Sequence, residues 1–335
     1  MKKIFLSALI LLTFVLSGCG GNSDAGVKNN PQTEEQTGST EEKDVKGNLK
    51  ITMLNVGQGD SFLIQTSSQN ILIDTSDIDE REKLVEELDK AGVTEFDKII
   101  LTHPHADHIG GMDKLLKDDK YTVKEIFDNG VVSTSKIYLG YVKTSESKKI
   151  KLSSVSAGDT LDFGGGVKFE VLYPTKKLVD EVNDGKQKSD PNNESIVGRL
   201  VYKDFSMMFT GDAEKPVESE IWADFDAEKI RSTILKSGHH GSKTSSSDTF
   251  VETVKPEYVF ISAGEPTDKR GGNTYGHPHV AALKIYLNAG IKPENILWTW
   301  KNGTVVLTSD GKKYSVKPEI KEDWVDAWIK EKQKK

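Results

Sequence analysis

The sequence predicts an α/β domain with mixed sheets, and three observations predict it. Short apolar strands in the first third are separated by glycine-rich turns, the pattern of a β-meander. The second half alternates apolar strands with segments of helical periodicity. All seven histidines fall into three short clusters, one between a strand and a helix, one just after a strand and one before a helix, and loops at strand ends are where sheets of this class build their sites.

The elements follow in order. Strands are predicted over 49–56, 61–65 and 70–73, with the turn Gly57-Gln58-Gly59-Asp60 between the first two and Asp74 closing the third. Residues 79–91 place Leu84, Val85 and Leu88 at helical spacing, and Gly92 stops the helix. A buried strand at 98–101 is followed by a helix over 109–116, then by a β-rich middle. Further strands are predicted at 167–172, 195–202, 206–210, 232–236 and 258–262, with helices at 213–223, 249–254 and 280–288. Strands at 296–300 and 304–307 close the domain. Two sets of strands interleaved with helices imply two sheets with outer helical layers.

The N-terminus reads as an address. Lys2 and Lys3 precede an apolar run from Ile4 to Leu16, then Ser17-Gly18-Cys19. The run falls short of the roughly 20 residues of a membrane span and has the length and flanks of a signal peptide. Its end resembles a bacterial lipobox, which implies cleavage before Cys19, the chain's one cysteine, and lipidation of that residue. Residues 20–47 are polar and cannot bury enough surface to offset chain entropy. The expected organisation is a signal peptide over 1–18, a flexible tether over 19–47, a catalytic domain over 48–312 and a helical extension over 313–335. In that extension Trp324, Val325, Trp328 and Ile329 form one stripe, suited to docking on the domain or to contact with a membrane surface.

Charge bounds the function. With 45 basic and 52 acidic residues the formal net charge is −7, which excludes a stoichiometric nucleic-acid binder with a global basic footprint. A nuclease remains compatible, because bound cations invert the local field. A single cysteine at position 19 leaves no thiolate ligand and no intrachain disulfide for the domain.

The first histidine cluster is His103-Pro104-His105-Ala106-Asp107-His108, the second Gly238-His239-His240-Gly241-Ser242, the third Gly276-His277-Pro278-His279. On an extended segment His103 and His105 project to one side and can hold one metal, while Asp107 and His108 at the turn into a helix can hold another. Imidazole with carboxylate suits zinc first and manganese or iron next. Asp212, at the end of an apolar strand, is a candidate bridging carboxylate. Lys269, Arg270, Asn273 and Tyr275 lie in a Gly-rich loop that could place donors on a phosphate, or simply be a solvated surface loop. Ser242, Thr244 and the nearby serines are placed to cap a following helix.

HPHADH resembles the HxHxDH signature of the metallo-β-lactamase superfamily. The wider set, VGQGDS, ILIDTS, LTHPHADHIGG, TGDA, LKSGHHGS and YGHPH, is similar to the hydrolase domain of the ComEC competence-protein family and to bacterial surface phosphorylcholine esterases. The resemblance spans roughly 49–310. It implies an αββα four-layer sandwich with two divalent metal ions, zinc or manganese, at one edge. It assigns His103, His105 and His240 to the first metal, and Asp107, His108 and His277 to the second. Asp212 would bridge them, and Asp74 would orient the histidine loop. Asp107, Asp212 and His239 are the expected catalytic groups. No histidine stands in 190–195, where many members of the superfamily carry one, so His239 or His240 must take its place. The substrate classes left open are nucleic acid or another phosphodiester, and a surface phosphorylcholine-type ester; a non-catalytic role in DNA uptake is the alternative of another class. Membrane contact is expected through Cys19, and no protein partner is inferred.

Overall fold

A computed structural model describes residues 48–269 and 272–334. The expected signal peptide and tether, with Cys19, lie outside the described residues, as does Arg270. Among the described residues no helix is long and apolar enough to cross a membrane.

Two large sheets form the centre. The first orders its strands Tyr314–Pro318, Val305–Ser309, Leu49–Met53, Phe62–Gln65, Asn70–Ile73, Lys98–Ile100, Glu125–Asp128 and Lys151–Ser154. The second runs Ile296–Trp298, Tyr258–Ile261, Ile234–Lys236, Phe205–Phe209, Val197–Tyr202, Lys168–Tyr173 and Thr160–Asp162. Side chains alternate across each strand, and the alternation sorts them into three cores. Ile51, Phe62, Ile64, Ile71 and Ile73 join Phe169, Met207, Phe209, Ile234 and Phe260 in the core between the sheets. Leu63, Leu72 and Ile99 point the other way, onto Leu84 and Leu88 of helix Arg81–Ala91 and Leu115 of helix Met112–Lys117. Met208, Leu235 and Val259 pack against Val217, Phe250, Leu283 and Trp328, from helices on the outer face of the second sheet. Helix, sheet, sheet and helix make four layers, as expected.

Strand direction places the site. In the first sheet Asn70–Ile73, Lys98–Ile100 and Glu125–Asp128 run parallel. In the second, Phe205–Phe209, Ile234–Lys236, Tyr258–Ile261 and Ile296–Trp298 run parallel. Asp74 and His103 follow strands of the first group, and Asp212, His239 and His240 follow strands of the second.

Several elements depart from expectation. The helix predicted over 109–116 is split into Ala106–Ile109 and Met112–Lys117. The split falls at Gly110 and Gly111, where a Cβ would stand 2.3 Å from Ile78 N and 2.3 Å from Thr75 O respectively, so neither position admits a side chain. The middle of the chain contributes two helices, Lys136–Lys148 and Lys176–Asn183, as well as strands. The strand predicted over 296–300 stops at Trp298, and Thr299–Asn302 forms a helical turn. The boundary at 312 is corrected. Tyr314–Pro318 is the edge strand of the first sheet, paired along Val305–Ser309, and the terminal helix is confined to Val325–Lys332. That helix docks: Trp324 and Trp328 are buried, and their indole N–H groups donate to Ile296 O at 3.1 Å and Pro278 O at 3.0 Å. Its apolar stripe is therefore not available to a membrane.

Candidate metal centre

Asp74 is the first fixed point. It sits in the left-handed region at φ 59° and is almost fully buried. Its carboxylate accepts from the Thr102 backbone N–H at 2.8 Å, the Thr102 hydroxyl at 2.7 Å and His108 Nδ1 at 2.7 Å. His108 is thereby held with Nε2 facing Asp212 Oδ2 at 3.2 Å. His240 is held in the same sense from the other sheet. Its Nδ1 donates to Ser262 O at 2.7 Å, and its Nε2 lies 3.2 Å from Asp107 Oδ2 and 3.4 Å from Asp212 Oδ2. Asp107, His108, Asp212 and His240 thus offer ligand atoms within 4.8 Å of one another.

His103 and His105 converge separately, Nε2 of one standing 2.9 Å from Nδ1 of the other, with His103 Nε2 3.9 Å from Asp212 Oδ2. His239 Nε2 approaches the same oxygen at 3.8 Å, while its Nδ1 faces Glu214 Oε1 at 3.0 Å. One carboxylate oxygen of Asp212 is therefore the meeting point of four imidazoles. The assignment of His240 to the side of His103 and His105 differs from this geometry, which groups it with Asp107 and His108. The ring of His277 lies 5.3 Å from that of His239 and 6.1 Å from that of His240. His279 is not among the residues whose ligand atoms group around Asp212; its ring lies 4.8 Å from that of His277 and its Nδ1 accepts from Lys243 N at 3.0 Å.

The second cluster is strained. His239 and His240 adopt φ of 45° and 54° in succession, a left-handed pair of non-glycine residues that costs on the order of 1–3 kcal/mol per residue. That geometry aims neighbouring imidazoles at one carboxylate, which a regular helix could not do.

Electrostatics shows what is missing. Asp60, Asp74 and Asp212 are buried, Asp107 is partly exposed, and Lys236 is the buried ammonium beside them. Burial alone would lower the affinity of His108 and His240 for a proton. Asp212 and Asp74 outweigh it at His108, and Asp212 and Asp60 at His240, raising both well above the ordinary imidazole value. Burial opposes ionisation of Asp212 too, yet His108 and His240 hold it well below the carboxylate range. His103 goes the other way, driven well down by burial and by His108. Burial, with His240 next, lowers His277 to about 2.

His108 Nε2, His240 Nε2, His277 Nδ1 and Asp212 Oδ1 are buried and make no hydrogen bond. A buried polar atom left unsatisfied costs about 1–3 kcal/mol, and the nitrogens of His108 and His240 face Asp212 Oδ2 at the focus of the histidine cluster. Divalent cations would satisfy nitrogen lone pairs and carboxylate charge together, so the donor set fits a metal centre.

A cleft of about 660 Å³ opens above this floor, lined among others by Gln58, Asp77, Asn192, Asp268 and Tyr275, together with His105, Asp107, Asp212 and His239. The predicted substrate loop is only partly there. Tyr275 lines the cleft, 70% exposed, its ring stacked on His277 at 5.6 Å. Lys269 is exposed and does not line it. Asn273 is corrected from a substrate contact to a loop clamp. It is buried, its amide donates to Gly264 O at 2.9 Å and His277 O at 2.6 Å, and its carbonyl accepts from His277 N at 3.0 Å. Of the residues expected to cap the next helix, the serine Ser247 does so, while Thr244 donates to Glu214 Oε1 at 2.7 Å. Sequence reasoning passed over Asp60, Lys236 and Glu214. The first two stand within the quoted VGQGDS and LKSGHHGS motifs, and a lysine at the end of an apolar strand was the available signal.

The four layers and the imidazole–carboxylate floor at the strand ends define a metal-dependent hydrolase. The model of the metallo-beta-lactamase superfamily matches residues 54–265, and the chain belongs to that superfamily. It is 32% identical over 274 residues to ComE operon protein 3 of Bacillus subtilis, an alignment covering 76% of this chain and 32% of that protein. It is 29% identical to competence protein ComA of Neisseria gonorrhoeae, covering 72% of this chain and 30% of that one, and 27% identical to recombination protein 2 of Haemophilus influenzae, covering 71% and 26%. The chain thus spans about a third of the length of these curated relatives or less. Among solved structures, Igni18, a metallo hydrolase of Ignicoccus hospitalis, matches with a TM-score of 0.46 at 13% identity, covering 77% of this chain and 98% of that one.

Proposed function

We propose that this protein is a dinuclear metal-dependent phosphodiesterase. The observation that carries the reading is the convergence of four imidazoles on Asp212 Oδ2, with buried nitrogens left unpartnered. Asp107, His108 and His240 would hold one ion and His103 and His105 the other, with Asp212 shared between them. When bound, a pair of zinc or manganese ions supplies Lewis-acid stabilisation of a phosphoryl group and makes water a competent nucleophile at neutral pH. The chain's own residues do the positioning. Asp74 and Ser262 set which ring nitrogen of His108 and His240 faces the centre, Asp107 is both on the floor and in the cleft, and His239 forms a cleft wall beside Asp212.

Support for a phosphodiester comes from the ComEC-type motif set and from relatives named for competence and recombination. Among the described residues the cleft presents no lysine or arginine, and Asp77 and Asp268 stand on its rim. A polyanion is therefore expected to bind weakly, and only with cations on the floor. The same rim favours a second reading. Exposed Tyr275 near Asp268 suits a cationic headgroup, as in a phosphorylcholine ester. Hydrolysis of single- and double-stranded DNA, a chromogenic phosphodiester and a phosphorylcholine ester by the metal-loaded protein, with Asp107→Ala as control, separates the two. Turnover of choline esters with DNA untouched selects the second; equal activity in the control assigns it to a contaminant.

We further propose that a lipid on Cys19 anchors the protein at the membrane, facing away from the cytoplasm, a reading supported by sequence alone. Cys19→Ser is expected to release the protein from the membrane fraction or leave it unprocessed; normal processing with full retention contradicts it.

A further inference from the structure

Lys236 ends the strand Ile234–Lys236 and is 1% exposed, a burial rare for lysine. Its ammonium donates to Asp60 Oδ2 at 2.5 Å and to Gly211 O at 2.7 Å, and stands 3.7 Å from Asp212 Oδ1. These contacts join the two halves of the centre. Asp60 belongs to the first sheet's turn: its N–H donates to Asp107 O at 3.0 Å, and its carbonyl accepts from Ser76 N at 2.9 Å. Gly211 and Asp212 belong to the second sheet, where Asp212 N donates to Ser195 Oγ at 3.1 Å.

The two oxygens of Asp212 therefore face different partners. Oδ1 lies on the lysine side without a hydrogen bond. Oδ2 faces the nitrogens of His108, His240, His239 and His103 at 3.2 to 3.9 Å. A neutral side chain in place of Lys236 would leave the Gly211 carbonyl with only the longer bond from His239 N at 3.2 Å, and Asp212 free to turn about its terminal torsion, which is soft.

We infer that Lys236 is a positioning residue of the metal centre, a resident cation that ties Asp60 of one sheet to the Gly211–Asp212 segment of the other and holds Asp212 with a single oxygen toward the ions. Two effects of the ammonium oppose each other here. Repulsion of a second cation would weaken metal binding, whereas a fixed ligand strengthens it. The hydrogen bonds at 2.5 and 2.7 Å are on the anchoring side, and the shared carboxylate is reached only at 3.7 Å. Orientation wins in this account.

The inference rests on the metal-hydrolase reading, and its test keeps the two apart. Mn²⁺ is titrated into the metal-stripped wild-type protein, Lys236→Met and the double variant Lys236→Met with Asp60→Asn. Free ion is followed by electron paramagnetic resonance and folding by thermal unfolding. The double variant removes both buried charges, so it does not leave Asp60 as an unpaired buried carboxylate. The expected result is two ions bound by the wild type, and at least one bound ~10-fold or more weakly by the double variant at an unchanged level of folding. Wild-type or tighter binding by both variants overturns the proposal and leaves the metal reading standing. Weakened binding by the single variant with recovery in the double also overturns it, because Lys236 would then serve only to neutralise Asp60. A wild type that takes up no Mn²⁺ sinks the metal reading and this inference together.

Discussion

Asp74 Oδ2 and His108 Nδ1 lie 2.7 Å apart in the interior, and that one contact decides which nitrogen of His108 meets Asp212. Removing the carboxylate frees the ring and its tautomer. Asp74→Ala is predicted to weaken metal binding about 10–100-fold. Retention of wild-type affinity in a calorimetric titration would show that Thr102 alone orients the ring.

Two histidines, one within the ligand group and one outside it, give a second test. His240→Ala is predicted to remove the ion shared with Asp107 and His108. His279→Ala, outside the group of ligand atoms around Asp212, is predicted to leave metal content unchanged. Elemental analysis of the two purified variants decides it; equal loss in both would mean that the third cluster was misread.

Gly59 has φ 110°, and a Cβ there would stand 2.2 Å from Asp107 O. Gly59→Ala therefore forces the turn away from the histidine loop. Strain of this kind is worth about 1–3 kcal/mol, so the melting temperature is predicted to fall and metal binding to weaken with it. A variant with unchanged melting temperature and metal content would contradict the packing described.

Much of this was legible in the sequence. The first two histidine clusters, Asp74 and Asp212 are strand-end residues, and strand ends can be read from apolar runs; the third cluster lies just before the helix Val280–Asn288. Four layers followed from strands and helices of the right periods together with the motif resemblance. What could not be read depends on distance in space. Lys236 and Asp60 are 176 positions apart and meet only because the two sheets bring their strand ends together. Asn273 looked like a substrate donor because a polar residue in a Gly-rich loop does; burial and three hydrogen bonds make it a clamp. The terminal strand Tyr314–Pro318 was hidden because an edge strand with one solvated face carries few apolar residues.

Tyr275 is the exposed aromatic of the cleft, stacked on a buried histidine. Tyr275→Ala is predicted to raise KM for substrates with an aromatic base or a quaternary ammonium, with kcat changed little, while Tyr275→Phe stays near wild type. Stacking is worth about 1–3 kcal/mol per base, a several-fold to hundred-fold effect on KM. An unchanged KM for every substrate would remove Tyr275 from the binding surface.

The central claim is that Asp212 is shared by two metal ions, and metal stoichiometry tests it most directly. The purified protein, stripped with chelator and reloaded with zinc or manganese, is analysed beside Asp212→Asn for metal per chain and for phosphodiester hydrolysis. The account predicts close to two ions per wild-type chain, activity lost on stripping and restored on reloading, and disturbance of both ions in the variant. A wild type that holds no ion after reloading, or a variant that keeps both ions and full activity, would contradict it.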